Sequence, residues 1–258
     1  MIDERLARGY ARQMLRDIKP PAQATIKSIE KLYDNYSHNR RGQERGLMRL
    51  SKKHRAIISS IIPQWYGSRS TANIIYWTCM SGSVENTNYM DKDSLVPLVA
   101  TFESTRNGKT FNNTMGPVGL CNHAICRWIE RDLTLPEYDL GQWLGHLKPI
   151  IVPAFLLNHL AYDNQDLTYI YRSVALPTLG GLFVGFIIPA GDESRDSYLQ
   201  VAVRSFYGQH ELDEDLQQLH ARLLNDCEET VAAHEDYGWD RLWQGQESAL
   251  LEALKGAA

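Results

Sequence analysis

The chain has 258 residues, 43% of them hydrophobic and 22% charged, with a formal net charge of -4. That length and apolar content suffice for one large folded unit with a substantial core and argue against a disordered chain. The cysteines Cys79, Cys121, Cys126 and Cys227 form no C-x-x-C pair, which argues against a zinc site or a disulfide framework, and no run approaches the roughly 20 apolar residues that span a bilayer.

In chain order, Asp3 can cap a first helix to about Ile18, because Leu6, Tyr10, Met14 and Ile18 recur at four-residue steps; Pro20-Pro21 is expected to stop it. A second helix is expected from Gln23 to Tyr36 and a third from Gln43 to Ile62, closed by Pro63. From residue 73 the pattern turns to strands, at 73–80 and 95–102, separated by a polar loop from Ser81 to Asp93. The Asn107-Gly108 pair favours a tight hairpin. A helix carrying His123 ends near Asp132, and a second helical stretch runs from 140 to 160, bent or broken by Pro149 and Pro153. Strands at 168–174, 182–188 and 198–206 follow, then helices at 213–234 and 239–254.

This order predicts an α+β fold, a mainly antiparallel sheet flanked by N-terminal and C-terminal helices. Residues 1–66 read as a basic helical region and 67–258 as an α+β domain with acidic C-terminal helices, the two able to form one continuous domain. The N-terminus opens on charged residues instead of an apolar signal core, so a cytoplasmic protein with no membrane contact is expected.

Charge is unevenly placed. Arg40, Arg41, Arg45, Arg49, Lys52, Lys53 and Arg55 stand against a single Glu44, whereas the chain is acidic from Glu211 onward. The basic segment is a candidate phosphate-binding surface, with Trp65-Tyr66 a candidate stacking pair, against the alternative of a solvated helix face. The acidic C-terminal helices are a candidate surface for a protein partner or self-association.

Gly108-Lys109-Thr110 looks like the end of a nucleotide-binding P-loop, but the first glycine of that pattern falls on Glu103 and the segment reads as a hairpin. G-x-G-x-x-G, H-E-x-x-H and G-x-S-x-G are absent. Asp213-x-Asp215 at a helix start is explained by the macrodipole, and no metal or cofactor is expected.

The sharpest feature is the helix through Asn122-His123-Ala124-Ile125-Cys126-Arg127. At 3.6 residues per turn, His123, Arg127 and Arg131 share a broad face, setting a titratable base one turn from a permanent cation. That pairing suits phosphodiester chemistry, where a base takes a proton and a guanidinium neutralises charge on phosphate oxygens. The alternative is a buried, hydrogen-bonded histidine beside arginines ion-paired to Glu130.

Asn122-His123-Ala124-x-x-Arg127-x-x-x-Arg131, with strands following, resembles the H-A-x-x-R-x-x-x-R helix of BrnT-like ribonuclease toxins, whose barnase-like or RelE-like relatives put helices before an antiparallel sheet. The resemblance covers residues 119–131 and the strand order. It implies a metal-independent ribonuclease in which the sheet adds polar residues to the same cleft, with Tyr171 and Arg172 on one late strand and Arg204 with Ser205 on the last as candidates. His123 would then serve as base or acid and Arg127 and Arg204 as charge stabilisers, with Arg131 and the basic segment holding nucleic acid, RNA before DNA. The competing readings are a non-catalytic nucleic-acid-binding or complex-assembly subunit, and a pure interaction module.

Overall fold

The computed structural model describes residues 2–35, 40–66, 69–81, 93–105, 108–151, 153–154, 173–190 and 198–237. The elements are α1 (Glu4–Asp17), α2 (Lys19–Asp34), α3 (Arg40–Lys53), β1 (Ile58–Tyr66), β2 (Arg69–Ser81), β3 (Asp93–Thr105), β4 (Gly108–Met115), β5 (Val118–Cys121), α4 (Asn122–Arg131), α5 (Leu140–His146), a single 3-10 turn (Lys148–Ile150), β6 (Ser173–Thr178), β7 (Gly181–Ala190), β8 (Tyr198–Gly208), a 3-10 turn (Gln209–Glu211) and α6 (Glu214–Tyr237). The fold is α+β, with one eight-stranded sheet in the order β1-β2-β3-β5-β8-β7-β6 and β4 paired to β3. Every described pairing is antiparallel except β5 with β8.

Asp3 caps α1 as expected, its carboxylate accepting from the Arg5 amide at 2.8 Å. Pro20 and Pro21, expected to end a helix, instead open α2, since the first turn needs no N–H from them; Ile18 is the joint between the two helices. The third helix is shorter than its apolar spacing predicts. It stops at Lys53, and Ile58–Tyr66 becomes β1, because a run of β-branched residues fits either period when its partner strand decides. Pro63 lies within β1 and is tolerated there because β1 is the edge strand of the sheet order.

β3 and β4 form the expected hairpin, Thr105 opposite Gly108, whose φ of +152° suits glycine. β4, the second arm of that hairpin, and β5, which sequence patterning missed, are one line of chain with a kink at Gly116-Pro117. Leu98 pairs with Met115, yet Leu95 pairs with Leu120, so two extra residues are taken up there. The Gly116 amide donates to the Pro97 carbonyl at 2.7 Å, and a Cβ on Gly116 would collide with that oxygen. Beyond the kink β5 stays paired to β3 at Ser94 and Leu95, takes β8 on its other side from Val118 to Leu120, and launches α4 directly from its end.

The helices follow the strand order: α3 packs on β1, α2 on β2, α1 on β3, and α4 on β8, with α3, α2, α1 and α4 touching in sequence. One core joins them, from Met14, Ile29 and Leu47 through Trp77 and Trp128 to Phe183 and Phe206. Trp128 meets Trp143 edge-on at 5.8 Å and Phe183 at 6.2 Å, and Phe183 meets Phe206 at 4.9 Å. The helix expected over 140–160 is described as α5 and the 3-10 turn, with 152 and 155–160 outside the described residues; of the strand expected at 168–174 only Ser173 and Val174 are described, as the start of β6, which runs on to Thr178. Residues 82–92 and the helix expected at 239–254 also lie outside them.

Candidate functional site

α4 begins where β5 ends because Cys121, in extended backbone, turns its Sγ back to accept from the Ala124 amide at 3.4 Å. Ala124, Ile125, Trp128 and Ile129 form the stripe that the helix buries. Asn122, His123, Cys126, Arg127 and Glu130 are left on the side that meets α1, which contributes Glu4, Arg8 and Arg12 at four-residue steps. Together these eight residues line an open cleft of about 260 Å³ between the two helices. The buried alanines at positions 7, 11 and 124 let the helices approach closely.

His123 is exposed at the mouth of this cleft and is not the buried core histidine of the alternative reading. Arg127 lies beside it on the next turn, half-buried and hydrogen-bonded to Glu130 at 2.6 Å, a contact that pushes the guanidinium further up from its usual range. Arg8 is paired to Glu4 at 2.6 Å, but both side chains are more than half exposed, so water screens that pair and it is held only weakly. Arg12 makes no ion pair among the described residues and offers its five donors to the cleft. Burial pushes the Cys126 thiol up from its usual range against the pull of Arg8 and Arg12, so it stays a thiol and not a nucleophilic thiolate.

The other expected residues divide. Arg131 does not line the cleft. Its guanidinium donates to the Phe206 carbonyl at 3.1 Å and to Glu211 at 3.3 Å, lies 3.9 Å from Glu130, and stands 6.0 Å over the Tyr207 ring, a set of contacts that ties the end of α4 to the end of β8. Arg204 is half-buried on β8 as the extra residue of a bulge, between Ser205, which pairs with Val184, and Val203, which pairs with Gly185. Its carbonyl receives the Cys121 thiol at 4.0 Å, which brings it near the start of α4, but it is not among the residues lining the cleft. Ser205 is likewise half-buried on β8, while Tyr171 and Arg172 lie outside the described residues.

The basic segment is solvent-facing: Arg40, Arg41, Arg45, Arg49, Lys52, Lys53 and Arg55 are all exposed. Trp65 sits under the Arg40 guanidinium at 5.1 Å, and Arg40 is also paired to Glu44 at 2.8 Å. Asp213 caps α6 through the Leu216 amide at 2.9 Å, the role its position at a helix start implies. No group of three or more histidine, cysteine, aspartate or glutamate side chains is gathered for a metal among the described residues, and no helix there is long and apolar enough to cross a membrane.

Sequence reasoning missed Arg8 and Arg12. Their signal was the four-residue repeat Glu4, Arg8, Arg12, Arg16 on the polar side of α1. A second hollow, of about 340 Å³, opens between Thr134, Gly180, His210 and Gln217 at the far end of α4 and carries no cationic arginine or lysine in its lining. Compared with protein-family models, curated proteins and solved structures, the chain matches none.

Proposed function

We propose that this chain acts on nucleic acid and is a metal-independent ribonuclease of the toxin or defence kind, working in the cytoplasm, with the α1–α4 cleft as its reaction centre. One observation carries the reading: an exposed imidazole, His123, shares an open cleft with the guanidinium of Arg12, which makes no ion pair among the described residues, and with that of Arg127. The cleft lies just below the range of about 300–1,000 Å³ usual for small-molecule pockets. Its size and openness suit a backbone phosphodiester more than an enclosed metabolite.

The chemistry follows from these groups. His123 takes the proton of a ribose 2′-hydroxyl, the freed oxygen attacks the adjacent phosphorus, and the bond to the 5′-oxygen breaks, leaving a cyclic phosphate and a new 5′-hydroxyl. Arg12 and Arg127 face the phosphate oxygens on which charge accumulates. Glu130, bonded to Arg127, orients that guanidinium, and the departing 5′-oxygen takes its proton from solvent water at the open mouth of the cleft. The helix resemblance to BrnT-like toxins agrees with the pairing of His123 and Arg127, although α4 in this chain follows five strands instead of preceding the sheet.

The second reading, a non-catalytic nucleic-acid-binding or assembly subunit, is favoured by Arg204 standing apart from the cleft and by the Glu130 clamp on Arg127. In that case the basic helices hold phosphates and acidic α6 meets a protein partner. Incubation of purified protein with RNA separates the two. Cleavage that survives chelator and vanishes in His123→Ala supports the ribonuclease; binding without cleavage supports the subunit.

A further inference from the structure

Residues 1–55 hold 14 of the chain's 27 lysines and arginines but only 6 of its 31 acidic residues, a net +8 where the remainder of the chain is -12. The structure assembles this charge on one layer: α3, α2 and α1 lie side by side, and all 14 cations are exposed except half-buried Lys19. Arg12, Arg45, Arg49 and Lys52 make no ion pair among the described residues. Among the described residues, large apolar side chains are exposed on this layer only at Leu6 and Met48, too few for the apolar centre of a protein interface.

Among the described residues, the aromatic rings on and beside this layer are already engaged. Tyr10 stacks on Tyr138 at 5.8 Å, Tyr33 stacks on Phe102 at 5.8 Å, and Trp65 is covered by Arg40. Sites for single strands add aromatic platforms to a basic groove, because unstacked bases need a surface to lie on. A duplex keeps its bases stacked and asks only for cations over its phosphates. With neighbouring helices packed about 8–10 Å apart, three in a row span about 16–20 Å between the outer axes, enough to meet both strands.

We infer that the α1–α3 layer binds double-stranded nucleic acid through its phosphates, without reading bases. The inference deepens the proposed nucleic-acid function by naming its substrate class, but it does not require cleavage in the cleft, so the His123→Ala protein is the reagent for its test. Fluorescence anisotropy with a labelled RNA duplex, a DNA duplex of the same sequence and each single strand measures affinity from low to moderate salt. At least ten-fold tighter binding of a duplex than of either strand is expected, falling about 10³-fold between about 50 and 200 mM salt; the RNA and DNA arms identify which duplex is the ligand. Arg45→Gln with Arg49→Gln on α3, and separately Arg5→Gln with Arg16→Gln on α1, should each weaken binding and lower the salt slope by about 1 for every phosphate no longer neutralised, with the circular dichroism unchanged. Single strands bound as tightly as duplexes, or binding that depends on α3 alone, would overturn it.

Discussion

Asp132 illustrates how a single buried carboxylate is made tolerable. Only 4% exposed, it accepts from Trp128 Nε1 at 2.9 Å and from the Thr134 amide and hydroxyl at 2.9 and 2.6 Å, and it leaves no room for a side chain at Gly180, whose added Cβ would overlap its carboxyl group. Asp132→Ala strands the indole N–H in the core and is expected to lower stability by about 2–3 kcal/mol. Gly180→Ala should cost about 1–3 kcal/mol by overpacking the same spot. Denaturant titration checks both. At this scale the sequence was half legible. His123 and Arg127 stood out because a helix puts residues four apart together, a rule that needs no tertiary knowledge. Arg8 and Arg12 belong to the same cleft from a helix more than 100 residues earlier, and only the packing of α1 on α4 reveals them. Arg131 satisfied the same spacing rule as Arg127 but was drawn off by the end of β8, which no spacing could foretell.

His54 ties α3 to α2. Thr25 Oγ1 donates to the Pro21 carbonyl at 2.8 Å, so it accepts from His54 Nδ1 at 3.0 Å; Lys53 donates to Ser28 Oγ at 3.2 Å, and that hydroxyl donates to His54 Nε2 at 2.9 Å. A neutral imidazole, with Nδ1 donating and Nε2 accepting, satisfies this chain of bonds. Burial, with the Lys53 charge adjoining, holds His54 below its usual 6.5. The unfolded chain therefore takes up the proton first as pH falls, and the stabilisation present above about 6.5 is lost towards the lower folded value. Chemical denaturation at a series of pH values should show that slope in the natural protein, and His54→Gln should flatten it. Gly116→Ala, whose Cβ would meet the Pro97 carbonyl, is expected to cost about 1–3 kcal/mol by opening the kink between β4 and β5. Helices with firm caps and stripes, α1 and α4, were readable to within a residue or two. β1 and β5 were not, because the isoleucines before Pro63 fit two periods, and the extent of β4 through Asn112-Asn113-Thr114 carries no strand pattern until β3 supplies the ladder.

Across the whole molecule, the basic N-terminal helices and the sheet share one hydrophobic core, with Met14, Ile18 and Ile29 in the same cluster as Trp128 and Phe206. Far-ultraviolet circular dichroism and tryptophan fluorescence should accordingly report one coincident unfolding transition; an early loss of helix signal with fluorescence unchanged would contradict a shared core. Mixed architecture and charge polarity were legible from composition and period, whereas the strand order was not, since it depends on β5, beyond the kink, lying between β3 and β8. The same kink launches α4 against α1 and so opens the cleft around His123, on which the proposed chemistry rests. RNA cleavage by the purified protein in the presence of chelator is therefore the decisive assay. Activity is expected to persist there and to fall about 10²–10⁴-fold in His123→Ala with the fold retained. Cleavage undiminished in His123→Ala, or abolished by chelator in the natural protein, would refute a metal-free reaction centred on that imidazole.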